Sequence, residues 1–289
     1  MEKNIPFLGI ILMLSAIGCV RKSVQEPTMV KDTTVNAMDM CREGVMDYDI
    51  KTVKEVGVDP KNKQKIIAEV HLKYPVLHCA NANLEEAVNA YVETFIEDII
   101  KSNIGEEDTS KAQSILLAAK AFVANSKTNI AELKKTEPDM DQVWYCDVIG
   151  NVEMQSGQYF TLRFKFNSYT GGAHPNYGEA YASFNMNTGK VLKWKDIISD
   201  SVAFIKLAEQ RFKQVNGLDI SKKLTEEEGF KFENNLFYLS ENIGLTNEGL
   251  VVYYQPYEVA PFSFGPTKLL FKYFEINKLL NPNLFGETI

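Results

Sequence analysis

Over residues 159–168 apolar and polar side chains alternate, with Phe160, Leu162, Phe164 and Phe166 on one side and Tyr159, Thr161, Arg163 and Lys165 on the other. A period of two marks a β-strand with one face on a core, so the second face is expected in solvent. The pattern recurs over 48–74, read as two strands around a turn at Asp59-Pro60-Lys61-Asn62. In the second of these, Ile66, Ala68, Val70, Leu72 and Tyr74 point one way, and Glu69, His71 and Lys73 the other. Pro75 has no N–H to donate and is expected to end the ladder. The period then changes. Behind Asn83 and Glu86, a pair resembling a capping box, Leu84, Val88, Tyr91, Phe95 and Ile99 recur at three- and four-residue steps, which predicts an amphipathic helix. A second helix is expected over about 110–133, carrying Ile115, Leu116, Ala119, Phe122 and Val123.

After Pro138 strand patterns dominate, at 143–152, 159–168 and 177–186, with turns at Ser156-Gly157 and Asn187-Thr188-Gly189. A helix over 201–215 follows, then a charged stretch of uncertain pattern to about residue 235, and strands at 250–255 and 267–274. Helices and strands are segregated more than alternated, which predicts an α+β fold. A small α/β subdomain at 46–138 would precede an antiparallel-sheet domain with packed helices at 139–289.

The N-terminus reads as an address. Lys3 precedes an apolar run over 5–17 that ends at Gly18-Cys19, too short for a bilayer span of about 20 residues but right for a signal peptide. Leu14-Ser15-Ala16-Ile17-Gly18-Cys19 resembles a bacterial lipobox, with Ala16 where leucine is commoner. Residues 1–18 are therefore expected to be removed and Cys19 to be acylated, palmitate included, with 19–45 as a tether. An ordinary secretory signal with an incidental Cys19 is the alternative. Either way the remainder is expected outside the cytoplasm, periplasmic or outer-membrane-associated. Cys41, Cys79 and Cys146 would remain, enough for at most one intramolecular disulfide, with spacings that match no CxxC redox or zinc pattern.

Composition removes whole classes. The 289 residues are 45% hydrophobic, a folded rather than disordered balance, and carry a net charge of −7. An acidic chain with no Lys/Arg-dense run has no means to neutralise a phosphate backbone, so nucleic acid is excluded. The same charge would attract a basic partner.

Two stretches stand out as candidate chemistry. In Tyr169-Thr170-Gly171-Gly172-Ala173-His174-Pro175-Asn176-Tyr177 the glycines permit positive φ and Pro175 bars His174 from helical geometry, so one imidazole is presented on a rigid connection between two tyrosines. His174 is the one candidate general base, but no nucleophile elbow or HExxH pair accompanies it. A three-histidine metal site would need His71, His78 and His174 to converge from separate elements; His71 and His78, seven apart on one strand, would face opposite sides. A structural lock on the turn is the plainer role for His174. The second stretch runs from Tyr253 through Tyr254, Gln255, Pro256, Tyr257 and Glu258 to Pro266, with prolines that bar helix and central strand. Its aromatics would form either a recognition surface or a plug for the end of the sheet.

These two stretches, with Asn185-Met186-Asn187-Thr188-Gly189-Lys190-Val191-Leu192 and Gly265, resemble the C-terminal domain of RsiV-type proteins. His71-Leu72-Lys73-Tyr74-Pro75-Val76-Leu77, ahead of a helix containing Val88-Asn89, resembles the small α/β domain preceding it in that family, so the likeness covers about 48–280. The family includes an anti-sigma factor whose extracytoplasmic domain binds lysozyme, a peptidoglycan deacetylase that carries this pair ahead of its catalytic domain, and many lipoproteins of unknown function. The sequence departs from both named members, having neither a sigma-binding segment with a transmembrane helix nor a deacetylase domain, so neither activity is expected to carry over. The resemblance implies a non-enzymatic envelope lipoprotein that binds a protein or cell-wall ligand, a lysozyme-like partner or a glycan among them, with no cofactor, metal or catalytic residue. Tyr169, Gly171, Gly172, His174, Pro175, Tyr177, Tyr254, Pro256, Tyr257 and Glu258 are its candidate contacts. A cell-wall hydrolase centred on His174 and a purely structural scaffold remain the alternatives.

Overall fold

The computed structural model describes residues 46–79, 81–105, 112–224, 229–232 and 236–285. The expected signal peptide, the tether, Cys19 and Cys41 lie outside them. All described residues fall within one compact unit.

Two sheets organise the unit. The larger has the order β1-β2-β3-β4-β5, built from β1 (Asp47–Val58), β2 (Ile66–His78), β3 (Trp144–Gln155), β4 (Tyr159–Tyr169) and β5 (Asn176–Asn185). Its pairs are antiparallel except β2 with β3, which run parallel because α1 (Ala82–Lys101) and α2 (Ile115–Thr136) carry the chain back to the starting edge. The sheet thus takes strands from both sides of position 138. The short α3 (Trp194–Ile197) and α4 (Ser201–Val215) lead to a second, antiparallel sheet of β6 (Ile243–Leu245), β7 (Gly249–Tyr254) and β8 (Thr267–Lys272), followed by α5 (Tyr273–Ile276). The fold is α+β.

Each sheet has its own core. α1 and α2 cover one face of the large sheet, where Val88, Ile96, Ala119 and Phe122 meet Val70, Leu72, Cys146 and Phe164. The second core gathers Phe204, Ala208 and Phe212 of α4 with Leu250, Val252, Tyr254, Leu269 and Phe271. Its partner helix starts where the residue types direct: the Asp200 carboxylate accepts from the Ala203 N–H and caps α4.

Several expectations are corrected. Helix α1 is capped by Asn81, not Asn83; the Asn81 side chain accepts from the Leu84 N–H while the Glu85 carboxylate accepts from the Cys79 N–H, and this earlier start places Leu84 on the buried face. Helix α2 is capped by Ser114 and exposes Leu116, while Ile115, Ala118, Ala119, Phe122 and Val123 are buried. β2 runs through Pro75 to His78. Its pairing with β3 ends at Lys73, so Pro75 lies where a neighbour is needed on one side only. Ile66 is exposed and Ile67 buried, because a register shift at Gly57/Val58 offsets the alternation. Tyr159 and Thr161, expected in solvent, are buried: the second sheet covers that end of the outer face, and Thr161 and Ser183 share a hydroxyl hydrogen bond of 2.8 Å while Ser183 Oγ accepts from the Leu245 N–H. β8 ends at Lys272, and Phe274, turned into α5, is exposed.

Cys79 is disulfide-bonded, whereas Cys146 is a free, buried thiol whose pKa burial raises to about 12. No helix among the described residues is long and apolar enough to cross a membrane.

Candidate functional site

The loop joining β4 to β5 and the loop joining β7 to β8 meet at one end of the sheets. Gly171 and Gly172 hold φ of 91° and 97°, a turn that L side chains disfavour, and the Tyr169 hydroxyl donates to the Gly172 carbonyl across it. The turn projects His174 toward the second loop. There the imidazole stacks on Phe262, ring centroids 3.6 Å apart and planes within 9°. Tyr177 meets the same Phe262 edge-on at 5.6 Å, and Tyr257 lies tilted against it at 5.6 Å. Four aromatic groups from two loops thus form one surface.

The hydrogen bonding of His174 follows from what each partner can do. Nδ1 lies 3.1 Å from the Pro175 carbonyl, which only accepts, so in the neutral ring Nδ1 carries the proton. Nε2 then accepts from the Tyr257 hydroxyl at 2.8 Å. Both ring nitrogens are engaged within the loops, and among the described residues no carboxylate, serine or cysteine is bonded to the ring. Tyr257 itself is held at φ 68°, the left-handed region that a bulky residue rarely occupies, while its side chain stays 43% exposed.

Beneath the surface, Gly178 allows the close approach of the two loops, since a Cβ there would collide with the Gln255 amide and with Phe166. The Gln255 Nε2 donates to the Glu179 carbonyl at 2.6 Å, and the Gln255 N–H donates to the Glu258 carboxylate at 2.8 Å. Burial pushes the Glu258 carboxyl above its usual range, against the hydrogen bonds from Gln255 and Ser240.

The candidate contacts do not all share one fate. His174, Tyr177 and Tyr257 come together, with Tyr169, Gly171, Gly172 and Pro175 shaping the turn. Tyr254 is fully buried, donating its hydroxyl to the Tyr238 carbonyl at 2.6 Å, with its phenol pKa pushed up by burial. Pro256 is buried as well, and Glu258 serves the turn. Phe262, the ring that joins the loops, was not among the candidates; its place in the aromatic run 253–264 was the available clue. The three histidines stay apart: His78 pairs with Asp49 at 3.0 Å and His71 lies beside Glu69 and Asp147. Among the described residues no cluster of His, Cys, Asp and Glu could hold a metal ion.

Two family models match the chain. The model of the deacetylase PdaC matches residues 61–177, and that of a protein of unknown function, DUF3298, matches 194–273. The first aromatic loop closes one match and the second loop lies inside the other, so the surface is built at their junction. A crystal structure of a DUF3298-family protein from Bacteroides fragilis NCTC 9343 is similar with a TM-score of 0.63 at 21% identity, covering 83% of this chain and 96% of that one. One from Pseudomonas aeruginosa PAO1 is similar with a TM-score of 0.54 at 17% identity, covering 83% and 97%. At such identities the likeness is one of fold. No curated protein matches the chain. The matched domains are of unknown function or accessory to a deacetylase. The two matches in sequence and the fold shared with DUF3298 structures fit a DUF3298/RsiV-like domain protein.

Proposed function

We propose that this chain is a non-enzymatic envelope protein, held outside the cytoplasm by an acylated Cys19, that binds a basic protein partner such as a lysozyme through its paired aromatic loops. The observation that carries the reading is the convergence of loops some eighty residues apart in the chain on one stack, with His174 on Phe262 and bonded to Tyr257. Tyrosine offers a large contact area at low entropic cost, and anchors of this type dominate interface energies. Tyr257 keeps a strained backbone and a half-exposed ring together, as expected where function maintains the conformation. The net charge of −7 supports a cationic partner through long-range attraction. The relation to the PdaC family supports an extracytoplasmic location. A cell-wall glycan is the other ligand class that such a surface suits.

Titration calorimetry of the chain lacking residues 1–19 against lysozyme, at low and physiological salt, tests this. Saturable heat is expected, with Tyr257→Ala or Tyr177→Ala weakening binding by about 2 kcal/mol and added salt mainly slowing association. Absence of heat and of co-elution at both salt concentrations removes lysozyme as the partner. Turnover of a cell-wall substrate that His174→Ala abolishes would instead establish the hydrolase.

A further inference from the structure

The two edges of the large sheet are finished differently. Along β5 the outward backbone groups are satisfied: the Glu179 carbonyl accepts from Asn242 Nδ2 and Gln255 Nε2, and the Tyr181 N–H donates to Asn242 Oδ1. The Ser183 carbonyl accepts from the Leu192 N–H, and the Asn185 N–H donates to the Lys190 carbonyl. β1 closes the other side of the strand order, and among the described residues no further strand lies beyond it. Met46 is buried and its carbonyl accepts from Gln155 Nε2 at the end of β3, so the chain enters β1 from the interior side of the sheet. The strand has 12 residues and no proline, and its one register shift against β2 falls at Gly57/Val58. An unpaired edge of that length is a template for another strand.

The side chains of β1 say which strand. Ile50 and Val56 are exposed, and Lys51 and Glu55 form no ion pair among the described residues. Read backwards, Ile50-Lys51-Thr52-Val53-Lys54-Glu55-Val56 is complementary to itself. A two-fold axis through Val53, normal to the sheet, pairs two copies of β1 antiparallel and keeps each face on its own side. It sets Ile50 opposite Val56 and Lys51 opposite Glu55, each pair twice, with Thr52 opposite Lys54 and Val53 opposite itself. Neighbouring registers that keep the faces are worse: centring on Thr52 sets Asp49 against Glu55, and centring on Lys54 sets that lysine against itself. Lysines on an edge repel most foreign strands, but in a second copy Lys51 meets a carboxylate. Apolar and opposite-charge pairs directly across a ladder are the stabilising ones.

We infer that β1 is a self-association edge, joining two copies of this chain antiparallel about Val53 into one continuous sheet. The surface is separate from the aromatic loops and does not depend on their function.

The test is sedimentation equilibrium of the chain lacking residues 1–19 and of its charge variants, each checked for folding by circular dichroism. The wild type is expected to dimerise with a dissociation constant at or below about 100 μM. Lys51→Glu sets glutamate against the second copy's Glu55, and Glu55→Lys sets lysine against its Lys51, so each should weaken the dimer about tenfold or more. The double variant Lys51→Glu/Glu55→Lys restores opposite charges, as does an equimolar mixture of the two single variants, and both should dimerise within about threefold of wild type. Three results would overturn the inference: a wild type that stays monomeric up to about 1 mM, folded single variants that dimerise like wild type, or a double variant and mixture that stay as weak as the single variants. The first of these would leave the edge to an extended segment of another protein.

Discussion

Phe164 has no exposed surface and its ring lies 4.5 Å from that of Phe95, so the centre of β4 is where α1 is locked to the sheet. Truncation there removes buried area and leaves a hole that neighbouring strands cannot close, so Phe164→Ala is expected to cost about 3–5 kcal/mol. Its neighbour Lys165 faces the other way, half exposed, 3.5 Å from Glu179. Lys165→Ala is expected to cost no more than about 1 kcal/mol. Urea denaturation of both variants checks the pair, and similar losses would mean that the faces of β4 are misassigned. Arg163 is a poorer surface reference than its sequence position suggests, because it lies between the sheets, 3.3 Å from Glu153, with its Nε buried.

At the scale of elements, the contact between β5 and β8 is ionic. Glu179 of β5 accepts from the Tyr181 hydroxyl at 2.7 Å and lies 3.7 Å from Lys268 of β8, whose ammonium donates to the same hydroxyl. Burial works to raise the Glu179 carboxyl, but the Tyr181 hydrogen bond and the charges of Lys268, Arg163 and Lys165 outweigh it and hold the pKa below the usual range. A carboxylate with a folded pKa below its unfolded one contributes stability that is present above the ordinary glutamate range and is lost as pH falls through the folded value. Between neutral pH and about pH 3, then, urea midpoints should fall less in Glu179→Gln than in the wild type. Parallel falls would show that the network does not couple the sheets. The strand faces were legible from alternation, but this network was not, since β6, which helps to cover that face, is only three residues long and leaves no periodic trace.

For the whole molecule, the candidate surface lies where the two matched segments meet, at the loop that closes the PdaC match and the loop inside the DUF3298 match. Anchoring belongs to this scale too, because an acyl chain on Cys19 would set the distance of every other surface from the membrane. Cys19→Ser is expected to abolish labelling by a fatty-acid analogue and to release the protein from the membrane fraction. Continued labelling of that variant would place the acyl group elsewhere or nowhere.

The sequence by itself determined what depends on neighbours in the chain. The alternation at Phe160, Leu162 and Phe164 and the helical spacing of Leu84 and Val88 each follow from one strand or helix seeking one core. Local chemistry likewise exposed both unusual loops, because glycine and proline leave their mark wherever the backbone is constrained. Tertiary structure decided what depends on partners far along the chain. It paired β2 with β3 in parallel, buried Tyr159 and Thr161 under a second sheet, sent Tyr254 to the core and brought Phe262 beneath His174. A residue's own pattern says which way it points along an element, but not whether another element will arrive to cover that face.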